Sequence, residues 1–68
     1  MIKVMIDEDH IDDWVKREFP DYTFFEEDSW CVIDLRTPRG NYILSPVWDG
    51  SRIVTYNMMT EQEFEEED

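Results

Sequence analysis

The chain has 68 residues, of which 18 are Asp or Glu and 6 are Lys or Arg, for a formal net charge of −12. A length this short holds one domain, and such a domain buries only about 60% of the surface of its unfolded chain, so its core is small. Three Trp, three Tyr and four Phe, with 41% hydrophobic residues, are too much apolar material for a disordered acidic tail.

Composition removes several function classes. A strongly acidic domain is repelled by phosphates and lacks a basic footprint, which disfavours direct nucleic-acid binding and anionic membrane surfaces. The single cysteine, Cys31, excludes an intrachain disulfide framework and a Cys-cluster zinc site and fits a reducing compartment. No apolar run approaches the roughly 18 residues of a membrane span. The N-terminus turns acidic by Asp7 and does not read as a signal peptide, so a cytoplasmic location is expected.

Residues 1–6 are β-rich and apolar apart from Lys3, which predicts a short, mostly buried strand. Asp7, Glu8 and Asp9 then supply a helix start, where acids suit the positive end of the helix dipole and Asp7 or Asp9 can cap. Ile11, Trp14, Val15 and Phe19 form a helical stripe, and Asp12 to Lys16 and Asp13 to Arg17 are expected i,i+4 pairs. Pro20 ends the helix by excluding Phe19 from the α region.

Tyr22 to Phe25 reads as a strand, Glu26 to Ser29 as a turn, and Trp30 to Thr37 as the next strand. In that strand Cys31, Ile33 and Leu35 share one face, and Trp30, Val32, Asp34 and Arg36 the other. Pro38 to Asn41 is a turn, Tyr42 to Trp48 a strand, and Pro46 inside it implies a bulge or an unpaired edge. Asp49-Gly50 is a hairpin signal leading into a strand from Ser51 to Met58. Thr60 and Glu63 form a capping box, so the tail is expected to begin as a helical turn and to fray at its acidic end.

The expected fold is α+β: a short N-terminal strand and one amphipathic helix packed on an antiparallel three- to four-stranded meander. The expected organisation is one domain over residues 1–60 and an acidic tail over residues 61–68.

Catalytic and metal chemistry find little support. A calcium loop counted from Asp7 matches at Asp9 and Glu18, but its fifth position is Ile11 and its sixth, which requires Gly, is Asp12. Cys31 lies on the presumed core face, and His10, the lone histidine, sits among solvated acids. No nucleophile elbow, zincin motif or phosphate loop is present. The expectation is a protein that is not an enzyme and uses no cofactor or metal.

The charge is segregated. Residues 1–28 hold ten acids and three bases (−7), residues 29–60 two acids and three bases (+1), and residues 61–68 six acids and no base (−6). A solubilising surface accounts for a net charge of magnitude about 2–8 in a small domain, and self-repulsion grows beyond it. The remainder points to a basic partner. Duplex DNA presents one charge per roughly 1.7 Å of axis, and carboxylates three or four apart on a helix lie about 5–6 Å from one another. The expected partner-binding residues are therefore Asp7, Glu8, Asp9, Asp12 and Asp13 at the helix start, Glu26, Glu27 and Asp28, and Glu61, Glu63, Glu65 and Glu66 in the tail. The alternative is a generic acidic interaction module that binds a basic enzyme at a site unrelated to DNA.

By length, charge, the acid block Asp7 to Asp13, the run Glu26-Glu27-Asp28 and the terminus Glu61 to Asp68, the chain resembles the small acidic DNA-mimic and host-takeover inhibitors of bacteriophages. The resemblance is one of type over the whole chain and carries no residue-level motif, because such proteins have unrelated folds. It implies an inhibitor in the host cytoplasm that occupies the basic groove of a DNA-binding protein. Targets of the type include restriction enzymes, uracil-DNA glycosylase, CRISPR effectors, RNA polymerase and, best matched here in size and charge, an HU-type nucleoid protein. It also implies a homodimer, for which Trp30, Tyr42, Trp48 and Tyr56 are the candidate apolar patch. Those rings serve equally as core or as cross-strand stacks.

Overall fold

The computed structural model describes residues 2–66. It is α+β, with one five-stranded antiparallel sheet and two helices. The elements in chain order are β1 (Ile2–Val4), α1 (Ile11–Glu18), β2 (Phe24–Glu27), β3 (Ile33–Thr37), β4 (Gly40–Asp49), β5 (Arg52–Thr60) and α2 (Glu61–Glu66). Strands β2 to β5 form a meander, and β1 adds to its far edge beside β5, giving the order β1-β5-β4-β3-β2.

Period-2 alternation divides the sheet into two faces. One carries Val4, Ile33, Leu35, Leu44, Ile53 and Tyr56, which are buried. Helix α1 closes this face with Ile11 and Val15, and its C-cap residue Phe19 joins them, three positions of the expected stripe. Trp14, the fourth, is half-buried and meets Phe19 edge-on at 6.0 Å. Arg39 covers the stripe's end, with its guanidinium 5.1 Å from the Phe19 ring centroid and its Nη2 donating to the Glu18 carbonyl.

Several expected boundaries move. The first strand is mostly exposed rather than mostly buried, since it is an edge strand with only Val4 facing the core; Met1 lies outside the described residues. Glu26 and Glu27 belong to β2, paired with Asp34 and Ile33, and not to a turn. The turn falls at residues 28–32 instead, because Cys31 adopts a left-handed backbone (φ 66°), which breaks the strand before Ile33. Trp30 and Cys31 are therefore not strand residues, although Cys31 still packs against the core.

The bulge anticipated near Pro46 lies one residue on. Val47 pairs with Thr55 and Trp48 with Ile53, so Val54 is the extra residue. Pro46 is tolerated in β4 because β3 pairs only as far as Leu44, leaving that side of the strand open. The two tight turns close on the pairs Thr37–Gly40 and Asp49–Arg52, with Pro38-Arg39 and Gly50-Ser51 as their loops. Gly50 (φ 66°) supplies the left-handed conformation.

The expected tail is helical through Glu66. The capping box forms reciprocally: Glu63 N donates to Thr60 Oγ1 (3.1 Å) and Thr60 N to a Glu63 carboxylate oxygen (3.2 Å). Fraying at its last two residues, 67 and 68, concerns positions outside the described residues. Helix α2 packs against β4 and β5.

Candidate functional site

The topology gathers acids that the sequence keeps apart. The end of β1, the start of α1, the end of β2, the start of β3 and the β4–β5 hairpin all lie at one end of the sheet. Glu8 N donates to the Ile53 carbonyl (3.2 Å), which ties the loop before α1 to the hairpin. Glu8, Glu27 and Asp28 all act electrostatically on the Cys31 thiol, and Glu27, Glu8 and Asp12 on the Tyr56 phenol. Burial first, and these carboxylates second, push both groups above their ordinary pKa ranges. The Tyr56 hydroxyl is buried and has no hydrogen-bond partner among the described residues.

Not every acid at this end is available to a partner. Asp7 Oδ1 accepts from His10 N (3.1 Å) and lies 2.6 Å from His10 Nδ1. Their hydrogen bond, reinforced by charge, holds the Asp7 carboxyl below and the His10 ring above their ordinary pKa ranges. Arg52 Nη2 lies 3.6 Å from both Asp7 and Asp9, so one guanidinium bridges two of the expected binding residues. Asp28 is a structural acceptor: its Oδ1 takes the N–H groups of Trp30 (2.8 Å) and Val32 (3.0 Å) and so shapes the turn. Glu8, Asp12, Asp13, Glu26 and Glu27 are exposed and take part in no ion pair among the described residues. The expected pairs Asp12–Lys16 and Asp13–Arg17 do not close; Arg17 turns instead to Glu18 at 3.7 Å.

The α2 acids are placed elsewhere. Helix α1 covers one face of the sheet, whereas Phe64 of α2 sits over the other, with Phe24 and Ile43. Glu61 accepts from Asn41 Nδ2 (3.2 Å), Glu63 belongs to the cap and Glu66 accepts from Gln62 (3.3 Å). These acids therefore do not extend the row that begins on α1.

On the face beside α2 lies an open groove of about 470 Å³, lined by Phe24, Glu26, Asp28, Trp30, Val32, Asp34, Ile43 and Phe64. The sequence reading missed this feature. Alternation places Glu26 and Asp34 on the same side of their own strands, but only the β2–β3 register sets them directly opposite one another. Trp30 is 79% exposed and Trp48 50% exposed. Tyr56 is fully buried and Tyr42 packs against the core, so these two are not part of an exposed patch.

Among the described residues, no group of three or more His, Cys, Asp or Glu side chains is arranged to hold a metal ion, and no helix is long and apolar enough to cross a membrane. No protein-family model, curated protein or solved structure matches the chain.

Proposed function

We propose that the protein is a non-enzymatic inhibitor that presents carboxylates in place of nucleic-acid phosphates and occupies the basic DNA-binding groove of a cytoplasmic host protein. The observation that carries this reading is that two stretches the sequence keeps apart, Glu8 and Asp12 around the start of α1 and Glu27 and Asp28 around the end of β2, lie at one end of the sheet. Self-repulsion makes such a cluster costly within the fold, and a cationic groove relieves it. Asp12, Asp13 and Glu27 are the core of the surface, because none of them is spent on an ion pair among the described residues, whereas Glu26 faces the groove across the sheet. The resemblance to phage DNA mimics favours an HU-type nucleoid protein, whose basic saddle a domain of this size can cover.

Affinity capture from nuclease-treated bacterial lysate, eluted with a salt gradient, tests the proposal. The expected result is one basic DNA-binding protein, displaced by added duplex DNA and eluting at moderate salt. Reversal of Asp12, Asp13 and Glu27 to Lys should abolish capture while leaving the circular dichroism unchanged. Retention of the partner by that variant, or failure of DNA to displace it, would overturn mimicry.

A second reading is supported by a separate observation. The exposure of Trp30 beside an apolar groove favours an acidic interaction module that engages a basic protein away from its DNA site.

A further inference from the structure

The groove on the α2 face has a chemistry that names its occupant. Its floor is apolar, with Val32, Ile43 and Phe24, and Phe64 and the exposed Trp30 also line it. Glu26 of β2 stands directly opposite Asp34 of β3. Cross-strand neighbours on one face have Cβ atoms only about 4.5–5.5 Å apart, and like charges there repel. Asp28 adds a third carboxylate to the lining.

The same surface already shows how it receives a cation. The Arg36 guanidinium lies 5.0 Å from the Phe24 ring centroid, and its Nη2 is 3.4 Å from Asp34. This one internal guanidinium uses one ring and one carboxylate. Trp30, Phe64 and Glu26 offer the same combination of aromatic ring and carboxylate without an internal cation among the described residues.

We propose that this groove binds an arginine-bearing peptide segment of a partner protein, with a guanidinium stacked on Trp30 and paired with Glu26, and apolar side chains on Val32, Ile43 and Phe64. Arginine fits better than lysine because its planar head stacks on a ring while pairing with a carboxylate. Charge argues against the other occupants. Duplex nucleic acid meets three carboxylates, a wholly apolar helix would have to desolvate them, and a second copy brings another −12. The inference does not rest on nucleic-acid mimicry, whose residues Asp12 and Asp13 sit on the helix across the sheet.

The test is a titration of the intact protein with a fluorescein-labelled peptide of alternating arginine and leucine, read by anisotropy and by amide chemical shifts. The expected shifts center on Phe24, Glu26, Trp30, Val32, Asp34, Ile43 and Phe64. Trp30→Ala should weaken binding about tenfold, the loss of one desolvated cation–ring contact. Glu26→Gln and replacement of the peptide's arginines by lysines should each weaken it a few-fold. Trp30 is largely exposed, so Trp30→Ala should keep the parent melting temperature. If Asp12→Lys with Asp13→Lys abolishes binding and Trp30→Ala leaves it intact, the peptide occupies the acidic end and the proposal is wrong. Concentration-dependent sedimentation that Trp30→Ala removes would assign the groove to a second copy and overturn it equally.

Discussion

The two faces of the sheet are built from the same strands and end differently. The face under α1 is sealed: Ile33, Leu35, Leu44, Ile53 and Tyr56 are fully buried, and Ile11, Val15 and Phe19 close over them. The opposite face carries Ile43, paired with Met59, beside a six-residue helix that packs on β4 and β5, then opens into a groove where Glu26 meets Asp34 and Trp30 is exposed. One face supplies most of the buried core, and the other, less occupied, is the one that carries the proposed groove. A chain this short has apolar residues enough to close one face completely and the other only in part.

Truncation should break this comparison most sharply. Leu35→Ala, in the sealed face, should destabilise by about 3 kcal/mol through lost burial and an uncollapsed cavity. Phe64→Ala, which is 41% exposed on the open face, should cost only about 1 kcal/mol. Urea unfolding of the two variants checks the ratio, and equal costs would mean that the open face is as integral to the core as the sealed one.

Tyr56→Phe probes a flaw in the sealed face. Its hydroxyl is buried without a partner among the described residues, so its removal should stabilise by up to about 1 kcal/mol. A loss of stability in the same unfolding assay would show that the hydroxyl is satisfied in solution.

Glu26→Gln relieves the cross-strand repulsion on the open face and should stabilise by roughly 0.5 kcal/mol at low salt. The gain should shrink as salt is added, since screening already weakens the repulsion it removes.

The smallest effect is expected at the acidic end. His10 is raised above and Asp7 lowered below the ordinary range by their mutual hydrogen bond. The His10 share of stability is complete below the ordinary histidine pKa and disappears as pH rises through the raised value. The Asp7 share is complete above the ordinary carboxylate pKa and disappears as pH falls through the lowered value. Nuclear magnetic resonance titration of His10 should return a pKa above the ordinary range, and Asp7→Asn should remove the larger part of that rise, leaving the weaker pull of Asp9 and Asp13.

Most elements were legible from local chemistry. The stripe Ile11, Trp14, Val15 and Phe19 placed α1, Pro38 and Gly50 marked the two tight turns, and Thr60 with Glu63 marked the start of α2. These signals work within a few residues, where periodicity, proline and capping act. The left-handed Cys31 was not legible, because it is imposed by the turn that Asp28 organises rather than by any preference of cysteine for that conformation.

Of the candidate site, the sequence by itself determined which carboxylates exist and that they crowd the two ends of the chain. Tertiary structure decided what each of them does. Arg52 reaches back across the sequence to Asp7 and Asp9, the turn takes up Asp28, and α2 carries its acids to the far face. The β2–β3 register alone sets Glu26 against Asp34 beside an exposed tryptophan. Register and burial depend on contacts between residues distant along the chain, and no local pattern of charge encodes them.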